Sequence, residues 1–149
     1  MNRKETGLAE LVNGSAATIL CVDDEENQLV LRKLLLENAG YRVLTADSFR
    51  SALAIVAEHA IDLAVVDYWM TGGNGVQLAG ELKHHKENLP IVILSAYSEL
   101  PGETIGIADA WITKGGASQT LLAKIEELLA RAVVRSHHDS RSVRPSKSN

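Results

Sequence analysis

Ile19-Leu20-Cys21-Val22-Asp23-Asp24 is the stretch whose reading decides the fold. Four apolar residues without a polar interruption are strand-length, and such a run fits a strand covered on both faces, as in a parallel sheet. Leu63-Ala64-Val65-Val66 and Ile91-Val92-Ile93-Leu94 repeat the pattern and belong beside it at the centre. Tyr41 to Ala46 mixes Arg42 and Thr45 with Val43 and Leu44, and Ala110-Trp111-Ile112 is short, so these two suit the edges.

Helical patterns fill the intervals. Leu31, Leu34, Leu35 and Ala39 recur on one helical face ahead of Gly40, which suits a C-terminal cap. Ser48 can cap a helix carrying Phe49, Leu53 and Val56, and Asn74-Gly75 opens another with Leu78, Ala79 and Leu82. Ser118 can cap the last, whose face of Leu121, Leu122, Ile125, Leu128, Leu129 and Ala132 is the clearest amphipathic pattern in the chain. Between Ser98 and Asp109, Pro101, Gly102 and Gly106 break any helical pattern, so the fourth helix is expected to be short or irregular. Strand and helix alternate five times, which implies right-handed crossovers and an α/β fold with helices on both faces of a parallel sheet.

The chain has 149 residues, 46% apolar and 23% charged, which fits one globular domain. The domain is expected over 18–135, after an N-terminal extension at 1–17 and before a disordered basic tail at 136–149. That tail sets Arg141, Arg144 and Lys147 against Asp139, so the net charge of −4 understates the acidity of the body. An acidic body with 4% aromatic residues gives no reason to expect contact with nucleic acid. No apolar run approaches the roughly 20 residues that span a bilayer, and Met1 to Glu10 lacks the apolar stretch of a secretion signal, so the expected location is the cytoplasm. Cys21 is the single cysteine, which excludes a disulfide framework and reads as a buried structural thiol.

The residues that follow the apolar runs carry the chemistry: Asp23-Asp24, Asp67, Ser95 and Thr113-Lys114. In a parallel sheet these ends share one edge, where ligands bind. Each residue has an ordinary reading by itself. Asp67 could cap a helix or form a turn, Asp23-Asp24 could favour a helix N-terminus, Ser95 could be a turn residue and Lys114 a solvated charge. Together they bring three carboxylates, a hydroxyl and an ammonium to one rim. Three ionised carboxylates so close call for a cation, and oxygen ligands suit Mg²⁺ or Mn²⁺, the usual companion of phosphoryl chemistry.

At this point the sequence resembles the receiver domains of bacterial two-component response regulators, the CheY-like family, from about Thr18 to Arg135. The resemblance rests on Ile19 to Asp24, on Asp62-Leu63-Ala64-Val65-Val66-Asp67 with Met70 and Gly75, on Leu94-Ser95-Ala96 and on Trp111-Ile112-Thr113-Lys114. It implies a flavodoxin-like (βα)5 fold with strand order 2-1-3-4-5. It implies Asp67 as phosphoacceptor, Asp24 as a direct metal ligand, Asp23 as a ligand acting largely through water, and the backbone carbonyl of Trp69 as a third protein contact. Ser95 and Lys114 match the groups that hold the phosphoryl oxygens, and Trp111 matches the aromatic whose rotamer follows phosphorylation. Trp69 and Tyr97 match the positions that control access of water to the phosphoaspartate, and two large aromatics there imply a long-lived phosphoryl state.

The implied partners are a sensor histidine kinase or histidine phosphotransfer protein and a separate effector protein, with the chain a monomer or weak dimer. The implied role is that of a phosphoacceptor that assists its own phosphorylation and dephosphorylation, not of an enzyme. Three departures stand out. Thr71 replaces the family's usual proline, Gly115-Gly116 follows Lys114 where a proline is usual, and the span from Ser95 to Lys114 is a few residues short. The Lys114 loop is therefore expected to be looser. A haloacid-dehalogenase-like phosphohydrolase needs an acid where Trp69 stands, and a flavin or nucleotide binder needs a phosphate-cradling loop where Asp23-Asp24-Glu25-Glu26 would repel phosphate. A pseudo-receiver that binds proteins without being phosphorylated is the remaining alternative.

Overall fold

The computed structural model describes residues 16–96 and 106–142. Strands β1 (Thr18–Val22), β2 (Arg42–Ala46), β3 (Leu63–Asp67), β6 (Ile91–Ser95) and β7 (Ala110–Thr113) form one parallel sheet in the order β2-β1-β3-β6-β7. The expected topology is thus the observed one, with the three unbroken apolar runs central and the two mixed or short segments at the edges. Helices α1 (Glu26–Asn38), α2 (Phe49–Glu58), α3 (Gly75–His85) and α4 (Ser118–Ser142) cover the sheet. Strand side chains alternate between two cores: Ile19, Cys21, Val65 and Val92 face α1 and α4, while Leu20, Val22, Val66 and Ile93 face α2 and α3. The Cys21 thiol is buried, and desolvation pushes its pKa up to about 12.

Helix ends follow the chemistry of their residues. Ser48 and Ser51 form a reciprocal capping box at α2, as Asn74 and Gln77 do at α3. Gly40 adopts φ 102°, and the Gly40 and Tyr41 N–H groups donate to Glu37 and Leu36 O at 3.0 and 3.1 Å, closing α1 with a Schellman motif. Ser118 is itself the first residue of α4 and does not precede it.

Two expectations are corrected. In α1 the buried residues are Leu29, Arg32 and Leu36, while Leu31 and Leu34 are 63% and 60% exposed. The helix turns this way because Arg32 reaches an ion partner inside the site. Helix α4 runs on to Ser142, past the expected domain limit at Arg135 and into the segment read as disordered. Nothing between Ser118 and Ser142 is glycine or proline, so a helix already nucleated against the core can propagate. A two-stranded hairpin, β4 (Trp69–Met70) with β5 (Gly73–Asn74), fills the interval between β3 and α3, to which the sequence pattern assigns no element. The core of the expected fourth helix and Tyr97 lie outside the described residues, as do 1–15 and 143–149. Among the described residues no helix is long and apolar enough to cross a membrane.

Candidate functional site

The parallel register brings the polar ends of β1, β3, β6 and β7 to one edge. Asp67 pairs in register with Leu94, and Ser95 pairs with Thr113. Asp23, Asp24 and Asp67 each offer a carboxylate oxygen, and those atoms all lie within 4.8 Å of one another. Asp23 and Asp67 are buried and Asp24 is exposed. Hard oxygen donors at this spacing, with one open side, fit a Mg²⁺ or Mn²⁺ ion.

Asp23 is the innermost acid. Its Oδ1 accepts the Glu25 N–H at 2.9 Å, and its Oδ2 is shared by Arg32 Nη1 at 3.3 Å and Lys114 Nζ at 3.4 Å. Lys114 also reaches Asp67 Oδ1 at 2.7 Å. The glycines after Lys114, with Gly115 at φ 86°, therefore do not keep the ammonium from the site. Burial pushes the Asp67 carboxyl above its ordinary pKa, against the hydrogen bond from Lys114. Burial works against the Lys114 ammonium, but the bond to Asp67 and the charge of Asp23 outweigh it and raise its pKa.

Asp24 is held differently. The Thr71 N–H and hydroxyl both donate to its Oδ2, at 2.9 and 2.8 Å. Those bonds, the hydroxyl first, hold its carboxyl below the ordinary value. The hairpin that carries Thr71 passes close over the strand end, where Tyr68 O accepts the Gly75 N–H at 2.6 Å. A Cβ at Gly75 would meet Asp67 O at 2.6 Å, so this approach requires glycine.

Ser95 is buried at the end of β6, the strand next to β3, and its carbonyl accepts the Lys114 N–H at 2.6 Å. Trp69 follows Asp67 on the hairpin with its side chain 57% exposed. The Tyr68 ring lies between the two tryptophans, 5.0 Å from Trp69 and 5.4 Å from Trp111. The Trp111 indole N–H is buried and has no hydrogen-bond partner among the described residues.

The structure thus brings together Asp23, Asp24, Asp67, Ser95 and Lys114, as the sequence predicts, and adds two residues the sequence reading did not place. Arg32 was hidden by the apolar residues around it, although its spacing from Leu29 and Leu36 puts it on their face. Thr71 was visible only as a departure from a pattern.

A family model described as the response regulator receiver domain matches residues 19–126. The phosphate regulon transcriptional regulatory protein PhoB of Pseudomonas aeruginosa is 34% identical over 119 residues, 76% of this chain and 52% of that protein. Response regulator GtcR of Aneurinibacillus migulanus is 35% identical over 118 residues, 77% of this chain and 48% of that protein. The chain therefore spans about half the length of these curated relatives. Among solved structures, response regulator TrrA of Thermotoga maritima, in complex with Mg²⁺-BeF, superposes with a TM-score of 0.71 at 33% identity, covering 75% of this chain and 98% of that one. A CheY-like receiver domain protein of Methanospirillum hungatei gives 0.72 at 29% identity, covering 78% and 96%. With its sheet order, acidic cluster and matched span all in agreement, the chain belongs to the response regulator receiver domain family.

Proposed function

We propose that this receiver accepts a phosphoryl group on Asp67 from a histidine kinase or histidine phosphotransfer protein, in a reaction that requires Mg²⁺ or Mn²⁺. The observation that carries the reading is the convergence of Asp23, Asp24 and Asp67 within 4.8 Å, with the Lys114 ammonium 2.7 Å from Asp67. An Asp67 carboxylate oxygen attacks phosphorus, the phosphorus–nitrogen bond of the phosphohistidine breaks, and an acyl phosphate forms. Asp23, Asp24, Asp67 and the Trp69 carbonyl would hold the divalent cation, which supplies charge neutralisation to the phosphoryl oxygens. Lys114 exchanges its contact with Asp67 for one with a phosphoryl oxygen, and the Ser95 hydroxyl holds another.

The product carries about −1.5 to −2 charges in place of the single charge of the Asp67 carboxylate, beside a buried acid, Asp23. That charge draws Ser95 and Lys114 inward and shifts the population of Trp111 packings, which an effector protein reads. The Trp111 indole supports this assignment, because among the described residues its buried N–H finds no partner that would fix the ring in one position. Trp69, exposed on the hairpin that follows Asp67, would crowd the approach of water to the acyl phosphate, which favours a slowly lost phosphoryl group. Incubation with acetyl phosphate and Mg²⁺ followed by intact-mass analysis tests the reading. One phosphoryl adduct is expected in the wild type and none in Asp67→Asn or with a chelator. An undiminished adduct in Asp67→Asn would place the chemistry elsewhere.

A further inference from the structure

Thr71 makes a contact that the residue usual at its position cannot make. Proline has neither a backbone N–H nor a hydroxyl, whereas Thr71 gives Asp24 Oδ2 one hydrogen bond from each. An ionised carboxylate has about four lone-pair sites. Two donors on Oδ2 fill that oxygen and leave Oδ1 as the one for a cation. Asp24 is exposed, so without this clasp its side chain would sample several rotamers and lose that freedom on binding a metal. The clasp also joins the loop after β1 to the β4–β5 hairpin that begins immediately beyond Asp67.

We propose that Thr71 is a positioning residue for metal binding, clasping the Asp24 carboxylate in the orientation in which Oδ1 faces the ion. The proposal rests on the receiver reading of the acidic cluster and deepens it. Groups that orient a metal ligand from behind are commonly worth about 10- to 100-fold in affinity. Thr71 acts here as such a group, in a position where a proline would leave the carboxylate without these donors.

The test is a titration of the wild-type protein with Mn²⁺, free Mn²⁺ being read from its electron paramagnetic resonance signal, and with Mg²⁺ as competitor. Thr71→Pro, which removes both donors, is expected to weaken binding by about ten-fold or more. Thr71→Val keeps the N–H, leaves the backbone unconstrained and should lose less, and Thr71→Ser should bind as the wild type does. Urea midpoints measured in chelator establish that each variant is folded. Equal or tighter binding by both Thr71→Pro and Thr71→Val, with a wild type that binds Mn²⁺ and accepts phosphate, overturns the clasp alone. A folded wild type that binds neither ion overturns the clasp and the receiver-site reading together.

Discussion

Asp23 and Asp24 are adjacent in the chain, yet the fold treats them as two different kinds of acid. Asp23 is fully buried and carries two cations, Arg32 and Lys114, besides a backbone donor. Asp24 faces solvent and is held chiefly by the neutral N–H and hydroxyl donors of Thr71. The inner acid is bound into the core by charge, which makes it part of the stability of the fold. The outer acid is merely oriented, which leaves it open to an incoming ion. A metal site built this way would keep its inner wall fixed with or without an ion and would set its affinity at the outer wall.

The comparison is broken most severely by removing the inner cation. Arg32→Ala leaves Asp23 with only part of its compensation and should cost about 3 kcal/mol of stability in chelator. Saturating Mg²⁺ should recover part of that loss, because a divalent ion replaces the missing charge. Urea denaturation with and without Mg²⁺ measures both quantities. A loss that is equal in the Asp23→Asn background would show that Arg32 supports the helix in some way unrelated to Asp23.

Outer-wall changes should leave stability nearly untouched and act on chemistry. Trp69→Asn opens the approach to Asp67 and can orient a water, so loss of the phosphoryl group should quicken by about ten-fold. The decay of the adduct in saturating Mg²⁺ gives the rate, and an unchanged rate would remove Trp69 from any role in lifetime. A smaller effect is the quenching or enhancement of tryptophan fluorescence on adding Mg²⁺. Trp69→Phe should abolish most of it and Trp111→Phe should leave it. The reverse pattern would move the ion away from the hairpin. The least effect of all is expected at Cys21, whose buried thiol has a pKa raised to about 12. At pH 8 it stays un-ionised and should resist a thiol reagent until the chain is unfolded.

The same contrast explains which features were legible in the sequence. Unbroken apolar runs ending in polar residues disclose β1, β3 and β6 together with Asp67, because one parallel register sets both the core and the rim. Helix α4 was readable because Leu121, Ile125, Leu128 and Leu129 serve only packing. Helix α1 was misread because one position of its buried face is spent on Arg32, so that counting apolar residues favoured the exposed side with Leu31 and Leu34. The hairpin after β3 has strands of two residues, too short to show a period, and the Thr71 contact on Asp24 spans 47 positions of sequence. The extent of α4 was missed because the Ser- and His-containing stretch after Arg135 carries no apolar face, although it carries no helix breaker either.

The central claim is that Asp67 is the residue on which phosphoryl chemistry occurs. Its most direct test is to treat the phosphorylated protein with borohydride, which reduces an aspartyl phosphate to homoserine, and to sequence the peptides by tandem mass spectrometry. The account predicts homoserine at position 67 alone, absent when Mg²⁺ is chelated before the donor is added. Homoserine at position 23 or 24, or an unreduced phosphate on a hydroxyl residue such as Ser95, would contradict it.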